Sequence, residues 1–391
     1  MKKIVIGLVF LALVAGVVFY FMSTKAKDTQ TTASSTVATT TTETTQTSEE
    51  TTDSTEEQSL VDQTLDQMSL AEKVGQLFFA RVPETNQLED LQTYHLGGYL
   101  LFGRDVENET QDSLKAKIAS YQEASAIPLL IGADEEGGTV TRISRNEQLV
   151  ETPFAAPQDI YASAGLAGVE QDTQHKAQIL HDYGIATGLF PVADVSTDPE
   201  AFIYDRTIGL DSDGTSEYVK KVVETLKAAH SGSTLKHFPG YGNNRDSHVE
   251  IVTDDRSLTE LQETALPAFQ AGIDAGADSV LVSHNIVTSL DPNVPASISP
   301  AVHQLLREDM HFDGVVMTDD MDMAGLADFI SQEEAGLAAL QAGNDLVMSS
   351  SYSIQIPYVM QAVQAGTYSE AQLDASVRRV LTWKFNLGLL E

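Results

Sequence analysis

Short apolar runs alternate with longer amphipathic segments along the chain from Ser59 onward. Continuously apolar strands that alternate with helices are typical of a parallel sheet that is buried on both faces. Eight such units in about 330 residues predict a (β/α)8 barrel of the α/β class, with a doubly wound parallel sheet as the alternative. The apolar runs are 75–81, 97–104, 128–136, 185–195, 233–239, 278–285, 313–320 and 344–350.

The segment 257–276, SLTELQETALPAFQAGIDAG, illustrates the helices expected between the runs. It begins with Ser257, a residue type that caps helix N-termini, and has Gly272 and Gly276 near its end. The pattern predicts one helix over this range.

Most of the apolar runs finish in a polar residue. In a barrel the C-terminal strand ends form the rim of the active site. Helix capping explains one or two polar residues there, but not a set that carries both signs of charge. The pattern therefore predicts a polar pocket suited to a polyhydroxylated substrate. The strand-end residues are Arg81, Arg104, Asp134, Asp194, Lys236, His237, His284 and Asp319.

The N-terminal region differs in composition from the rest of the chain. Ile4 to Met22 is a run of nineteen residues without a charge, close to the length needed to span a bilayer. We expect residues 1–27 to form a membrane anchor, with a cleaved secretion signal as the alternative. Residues 28–57 are mostly Thr, Ser, Gln and Glu, and are expected to form a disordered tether. Residues 58–391 would then form the catalytic domain, outside the cytoplasm in either case.

The formal net charge is −34, and the chain contains no cysteine. The lack of cysteine excludes disulfides, thiolate metal sites and a cysteine nucleophile. An acidic body repels phosphate backbones, which argues against nucleic-acid binding. Gly137-Gly138 lacks the spacing of a dinucleotide fingerprint and no Walker motif occurs, so no cofactor is expected. We expect a monomer.

The loop KHFPGYGNNRDSH, residues 236–248, contains one candidate for proton transfer. Lys236 and His237 end the fifth predicted strand, and the Gly and Pro residues within 239–242 favour a turn over the barrel mouth. Asp246 and His248 follow at positions i and i+2. The carboxylate can accept a bond from one imidazole nitrogen, which leaves the other nitrogen to move a proton. Most such pairs are surface or capping residues, but this one follows a barrel strand end and becomes a candidate mobile acid/base.

The segment DGVVMTDDMDMAG, residues 313–325, contains a candidate nucleophile. Asp319 is the first residue past the buried run, so we expect its side chain to point into the pocket. A carboxylate there can attack an anomeric carbon or stabilise an oxocarbenium-like transition state. Asp320 and Asp322 suggest helix capping or, less well, a metal site. No metal is expected, because no calcium-binding loop accompanies the cluster.

The segment GADEEGGTVTR, residues 132–142, supplies a third element. Asp134 ends the third predicted strand, Gly137 and Gly138 make a tight turn, and Arg142 returns toward the mouth. A carboxylate and a guanidinium together can hold neighbouring sugar hydroxyls through charge-assisted hydrogen bonds. A purely structural turn is the alternative for this element taken alone.

With these elements in this order, the chain resembles glycoside hydrolase family 3, and within it the β-N-acetylglucosaminidase (β-hexosaminidase) branch. The resemblance covers about residue 60 to the end and is carried by DEEGGTVTR, DRTIG (205–209), KHFPGYGNNRDSH, GVVMTDDMDMAG and SVRRVLTWKFNLGLL (376–390). Lys-His-Phe is shared with β-glucosidases of the wider family. Asp-Ser-His on the same loop is the specific part.

The resemblance implies a retaining exo-β-N-acetylglucosaminidase that acts on peptidoglycan fragments or related amino-sugar glycans, without metal or cofactor. Asp319 would be the nucleophile, and His248 the general acid and base, held by Asp246. Three other readings remain open: a catalytically silent glycan-binding wall protein, a β-N-acetylglucosaminide phosphorylase, and a β-glucosidase or xylosidase. The implied sugar-binding residues are Asp134, Arg142, Arg206, Lys236 and His237.

The sequence departs from the family pattern at three places. Tyr241 stands where the family usually has histidine, and Thr139 replaces a common arginine. The spacer 243–245 is one residue shorter than usual. These differences bear on the path of the loop and on substrate preference more than on the chemistry.

Overall fold

Eight parallel segments close into a ring in the computed structural model, which describes residues 49–242, 244–245, 251–327 and 329–390. The strands are β1 Phe78–Arg81, β2 Gly98–Leu101, β3 Leu130–Ala133, β4 Thr234–Phe238, β5 Thr253–Asp254, β6 Ser279–Val282, β7 Ile286–Val287, β8 Val315–Thr318 and β9 Val347–Ser349. Hydrogen-bonded neighbours follow the orders β3-β2-β1-β9 and β4-β6-β8, all parallel.

Single bridges complete the ring between the two sheets. Thr187 bridges to Gly132 of β3 and to Gly232 just before β4, and Met317 of β8 bridges to Leu346 just before β9. The segment 185–195 is thus the eighth parallel segment of the ring and lies between β3 and β4. The closed ring confirms the predicted (β/α)8 barrel over the doubly wound sheet. The short strands β5 and β7 pair with each other outside the ring.

The predicted strand over 185–195 is reduced to isolated contacts at Thr187 and Val192. Leu189 adopts a positive φ of 48°, a region that side chains other than glycine rarely occupy. Pro191 has no N–H to donate to a neighbouring strand. These two residues interrupt a regular ladder, although the segment still fills the gap in the ring.

The helices surround this ring, as the alternating pattern predicted. Residues 51–391 form one compact unit. The α-helices are Glu49–Gln67, Leu70–Gln76, Gln87–Tyr94, Gly103–Val106, Gln111–Ala124, Pro157–Asp182, Ser212–Ala228, Leu258–Thr264, Leu266–Asp274, Pro300–Gln304, Ala324–Ala327, Gln332–Ala342, Tyr352–Gln364 and Glu370–Asn386. Tyr204–Arg206 and Ala296–Ile298 are 3-10 turns, and Leu305–Asp309 is a π-helical turn.

The prediction of one helix over 257–276 is wrong, because the segment forms two helices, Leu258–Thr264 and Leu266–Asp274. Ser257 does cap the first, accepting a hydrogen bond from the Glu260 backbone. Pro267 ends the continuity because it lacks the N–H that an uninterrupted helix requires. Gly272 lies inside the second helix, where an added Cβ would come within 2.6 Å of Leu235. It therefore serves close helix–strand packing rather than termination.

The first described helix, Glu49–Gln67, begins before the predicted domain boundary at residue 58. Val61 and Leu65, four positions apart on one helix face, are both buried. Their packing ties the helix to the barrel. Within the described residues no helix combines the length and apolar character needed to cross a membrane. The predicted anchor in residues 1–27 lies outside the described residues, as does the tether up to residue 48.

Every residue of β2, β3, β6 and β8 is buried. Burying an aliphatic or aromatic side chain contributes about 1.5–3 kcal/mol. The ring interior covers one face of each strand and the helices cover the other. Both faces are therefore apolar, which explains the continuously apolar runs in the sequence.

Candidate active site

A cavity of about 210 Å³ opens at the C-terminal ends of the barrel strands. All six described residues that were predicted to bind or attack the sugar line it: Asp134, Arg142, Arg206, Lys236, His237 and Asp319. The barrel therefore gathers residues that are far apart in the sequence. Its other described lining residues are Arg81, Leu100, Phe102, Val140, Leu281, Asp320, Met323 and Met348.

The predicted acid/base pair, Asp246 and His248, lies outside the described residues. Its position relative to the cavity stays a prediction. The chain that leads into this segment is described up to Gly242, and β5 begins shortly after it.

Lys236 is the most deeply placed cation of the cavity, with 1% exposure. Its Nζ donates to Asp134 Oδ1 at 2.8 Å and lies 2.5 Å from Glu136 Oε1. Arg142 Nη2 donates to the other Asp134 oxygen, Oδ2, at 3.1 Å. Burial alone would raise the pKa of Asp134, but Lys236 and Arg142 hold it below its usual range. The Asp134 carboxylate is thus ionised and fixed between two cations.

Glu136 belongs to the same cluster, because it contacts both Lys236 and Arg206. Arg206 donates to it through two bonds, Nε to Oε2 at 3.0 Å and Nη2 to Oε1 at 2.8 Å. Burial alone would raise the pKa of Glu136, but Arg206 and Lys236 lower it far below its usual range. The bidentate geometry fixes the guanidinium plane of Arg206 in the cavity wall.

His237 is held between an acceptor and a donor. Its Nδ1 lies 2.7 Å from Asp194 Oδ2, and its Nε2 lies 2.9 Å from Arg206 Nη2. Because arginine only donates, Nε2 must accept and Nδ1 must carry the proton. Burial first, and Arg206 second, lower the pKa of His237. The ring is therefore neutral and held in one tautomer.

Asp194 organises the start of the loop that follows β4. It is fully buried and accepts hydrogen bonds from the His237 backbone N–H at 2.9 Å and from the Tyr241 N–H at 2.6 Å. Tyr241, which departs from the family pattern, is also fully buried. Its ring packs edge-on against His237 at 5.1 Å and against Phe202 at 5.7 Å. Tyr241 thus helps to hold His237, a residue predicted to bind the sugar, in place.

A turn returns Arg142 to the cavity, as the sequence predicted. The buried Glu135 carboxylate accepts from the backbone N–H groups of Arg142 at 2.9 Å and Ile143 at 2.7 Å. Gly137 has a φ of 101°, and an added Cβ would lie 2.2 Å from the Ala155 carbonyl oxygen. The turn therefore requires glycine at this position.

Asp319 lies at the end of β8 with 8% exposure. Its N–H donates to Val282 O at 2.9 Å, and its Oδ1 accepts from the Asp320 N–H at 2.8 Å. Asp320 pairs with Arg81, the last residue of β1. Burial raises the pKa of Asp320 to about 6 despite this cation.

The Asp322 carboxylate binds the chain that follows β9. It accepts from the Ser350 N–H at 2.5 Å, from Ser350 Oγ at 2.7 Å and from Ser351 Oγ at 3.0 Å. The residue therefore connects the turn after β8 to the end of β9. Among the described residues no group of three or more potential ligands is arranged to hold a metal ion.

Three of the predicted rim residues are not among the described residues that line the cavity. Arg104 donates to the Val82 carbonyl at 2.6 Å and faces Glu84. Asp194 lies behind His237, and His284 lies behind Asp320, with its Nε2 2.9 Å from the Asp320 carbonyl oxygen. The strand-end pattern identified residues that support the pocket as well as those that line it.

The profile of the glycosyl hydrolase family 3 N terminal domain matches residues 69–383. The chain belongs to this family. The match spans the ring and its cavity, and confirms the resemblance carried by the motifs.

Relatives of this family 3 chain carry consistent names. A β-hexosaminidase of Xanthomonas campestris pv. campestris (strain B100) is 33% identical over 300 residues, 75% of this chain and 88% of that protein. β-Hexosaminidase LpqI of Mycobacterium tuberculosis (strain ATCC 25618 / H37Rv) is 31% identical over 330 residues, 81% and 83% respectively. The solved structure of M. tuberculosis LpqI matches with a TM-score of 0.76 over 83% of this chain and 96% of that chain, at 28% identity.

A further solved structure is a glycoside hydrolase family 3 β-N-acetylglucosaminidase from Paenibacillus sp. str. FPU-7. It matches with a TM-score of 0.77 and 28% identity over 82% of this chain. The present chain covers 63% of that protein, which is less than two thirds of its length.

Sequence reasoning missed Glu136 and the pairing of Asp320 with Arg81 in this family 3 site. Glu136 was detectable in principle, since it follows Asp134 by two positions and an extended chain repeats its side-chain direction every second residue. Arg81 and Asp320 lie 239 residues apart, and nothing local relates them.

Proposed function

We propose that this chain is a retaining exo-β-N-acetylglucosaminidase that removes terminal N-acetylglucosamine through a covalent glycosyl-enzyme. The observation that carries the proposal is the cavity in which Asp319 lies together with Asp134, Arg142 and Lys236. A buried carboxylate beside fixed hydroxyl-binding groups suits attack at an anomeric carbon. The cavity is small, which favours one terminal sugar over a chain of sugars. The names of the relatives, β-hexosaminidase and β-N-acetylglucosaminidase, support the choice of sugar.

The reaction has two displacements at the same carbon. In the first, an Asp319 oxygen bonds to C1 while the bond from C1 to the leaving oxygen breaks, and His248 donates a proton to that oxygen. In the second, His248 takes a proton from water, the water oxygen bonds to C1, and the bond to Asp319 breaks. Two inversions give net retention. Asp246 would hold the imidazole in the orientation that both steps need.

A histidine acid suits this site chemically. An unperturbed imidazole titrates near pH 6.5, so it can donate and accept a proton close to neutrality without a pKa raised by burial. A second carboxylate would need such a shift. A neutral base also repels an incoming anion less than a carboxylate does. Phosphate could therefore replace water as the acceptor in the second displacement.

The nucleophile is tested by Asp319→Asn, assayed on 4-nitrophenyl N-acetyl-β-glucosaminide. Loss of the attacking oxygen should lower kcat by more than about 10³-fold, since removal of a nucleophile alone removes most of the catalysis. Asp313→Asn, an exposed aspartate at the other end of β8, is the matched control and should keep normal activity. Near-normal turnover by Asp319→Asn rejects the proposal. The 4-nitrophenyl glucoside, assayed in parallel, distinguishes a β-glucosidase.

The acid is tested by His248→Ala on substrates of different leaving-group basicity. General acid catalysis contributes about 10²–10⁴-fold when the leaving oxygen needs a proton. Disaccharides should therefore lose activity by this order, and the 4-nitrophenyl glycoside by much less. Equal losses on both substrates would assign His248 a structural role.

We propose peptidoglycan fragments as the natural substrate class. Incubation of purified muropeptides with and without inorganic phosphate identifies the product: free N-acetylglucosamine marks hydrolysis, and its 1-phosphate marks phosphorolysis. A wall protein that only binds glycans gives neither product.

We also propose that the catalytic domain is exported, with residues 4–22 as an anchor or signal. The uncharged run and the Thr- and Ser-rich segment that follows it support this. Cell fractionation with N-terminal sequencing of the mature protein tests the proposal. A cytoplasmic protein with an intact N-terminus would contradict it.

A further inference from the structure

Asp320 contacts the predicted nucleophile directly. Its backbone N–H donates to Asp319 Oδ1 at 2.8 Å. The position of the Asp320 backbone therefore helps to set the direction of the Asp319 carboxylate.

The Asp320 backbone is fixed from the neighbouring strand β6. His284, which follows β6, is buried, and its Nε2 lies 2.9 Å from the Asp320 carbonyl oxygen. A carbonyl oxygen only accepts, so this nitrogen carries the proton. The other ring nitrogen, Nδ1, lies 2.7 Å from Ser297 Oγ. One side of Asp320 is thus anchored to a fixed histidine.

The Asp320 side chain is fixed by Arg81, the last residue of β1. Arg81 Nε donates a short bond to Asp320 Oδ2, while Oδ1 accepts from the Asp322 N–H at 3.0 Å. The Arg81 guanidinium lies 4.8 Å from the centre of the Phe102 ring, which restricts its position further. Both oxygens of the Asp320 carboxylate are therefore occupied.

Arg81 also provides a positive charge beside two adjacent carboxylates. Asp319 and Asp320 are consecutive carboxylates with 8% and 6% exposure, and like charges at such positions disfavour each other's ionised form. Arg81 supplies a counter-charge at the site. Removing it would leave the carboxylate pair without this compensation.

We propose that Arg81 and Asp320 act as one positioning pair, which orients the Asp319 carboxylate for attack on the sugar, while the Arg81 cation offsets the negative charge of the two adjacent carboxylates. Neither residue needs to touch the reacting atoms. The proposal rests on the proposed function, because it takes Asp319 to be the nucleophile.

The test isolates the nucleophile from the acid. A 5-fluoro glycosyl fluoride of the N-acetylglucosamine configuration needs little proton donation to leave and traps the glycosyl-enzyme. The rate of covalent labelling of Asp319, followed by mass spectrometry, therefore reports on the attacking carboxylate. It is measured for the full chain, for Asp320→Asn, for Arg81→Met and for the double variant, together with kcat and KM on the 4-nitrophenyl substrate.

We expect each single variant to reduce the trapping rate and kcat by at least tenfold, with KM changed less than threefold. The double variant should be no slower than the worse single variant, because the two residues act through one contact. Arg104→Met, an arginine at the next strand end that does not line the described cavity, should match the wild type. Circular dichroism and the thermal midpoint identify any variant that fails to fold. Arg81 is partly exposed, so Arg81→Met keeps the test usable if Asp320→Asn does not fold.

Three results overturn the inference: trapping within twofold of wild type in both single variants, losses that multiply in the double variant, or a change in KM alone. Failure of the proposed function gives a different signature. In that case the wild type itself is not labelled at Asp319, whatever the variants do.

Discussion

At the scale of single residues, the site is a buried charge cluster. Lys236, at 1% exposure, contacts the carboxylates of both Asp134 and Glu136, and Arg206 contacts Glu136 through two bonds. Taking charges out of water costs several kcal/mol for each ion unless its partners are in place. The cluster is stable because every member is paired, and the same pairing orients its donors toward the cavity.

This pairing predicts the effect of Glu136→Gln. The change leaves Arg206 and Lys236 with one fewer negative partner, and breaking a buried pair costs about 3–5 kcal/mol. We expect that loss in the free energy of unfolding, measured by urea denaturation, with a large fall in kcat/KM. Glu84→Gln, at an exposed glutamate that faces Arg104, is the control. A stability within about 1 kcal/mol of wild type would show that Glu136 is not essential to the cluster.

At the scale of elements, the loop after β4 is fixed at both of its described ends by one arginine. Arg256 Nη2 donates to the Gly240 carbonyl at 2.5 Å, and Arg256 Nε donates to Asp254 at 3.0 Å. An added Cβ at Gly242 would lie 2.7 Å from the Arg256 guanidinium carbon. The chain that enters the Asp246–His248 segment is thus joined directly to the chain that leaves it.

Arg256→Ala should therefore affect proton donation more than attack. Without the guanidinium, the two described ends of the loop lose their common contact. The proposed acid, His248, would then no longer be held in one position relative to the leaving oxygen. We expect disaccharide turnover to fall at least tenfold more than turnover of the 4-nitrophenyl glycoside. Arg378→Ala, on the helix Glu370–Asn386 and paired with Asp62, serves as the matched control. A parallel fall on both substrates would mean that Arg256 only stabilises the fold.

The other elements show where local patterns suffice. Ser257 caps its helix as expected because capping depends on residues three positions apart. The break at Pro267 was also encoded locally, and the prediction of one helix gave it too little weight. By contrast, the interruption of the segment 185–195 depends in part on the positive φ of Leu189, which no local pattern predicted.

At the scale of the whole molecule, the helix Glu370–Asn386 packs against the helix Leu70–Gln76, which precedes β1. Lys384, in the helix Glu370–Asn386, is fully buried, and its Nζ donates to Gln76 Oε1 at 2.6 Å, just before β1. Burial lowers the pKa of Lys384 to about 7. In the unfolded chain a lysine titrates near pH 10.4.

This difference predicts a dependence of stability on pH. Between about pH 7 and pH 10 the unfolded state binds a proton at Lys384 that the folded state does not, so stability rises with pH across this window. The slope from this one residue approaches about 1.4 kcal/mol per pH unit. Urea denaturation at pH 7, 8 and 9 should show this slope in the wild type and in the exposed-site control Lys220→Met, but not in Lys384→Met. An unchanged slope in Lys384→Met would contradict the prediction.

The sequence by itself determined the barrel, the family and six of the residues that line the cavity. Strand and helix periods depend on neighbours within a few positions, and eight units of alternating type leave few ways to fold. Asp134, Lys236, His237 and Asp319 were identifiable because they are polar residues near the C-terminal ends of apolar runs, and the carboxyl ends of parallel strands meet at one face. The roles of Asp246 and His248 stay predictions.

Only the tertiary structure decided which of these residues touch. Glu136 meets Lys236 across a hundred positions, and Arg81 meets Asp320 across 239. Such contacts form only when the ring closes, because closure brings together strands that are far apart in the sequence. No local sequence pattern contains that information. For the same reason, Arg104 and Asp194 were predicted at strand ends together with Arg81 and Asp134, yet their side chains contact the Val82 carbonyl and His237 instead of lining the cavity.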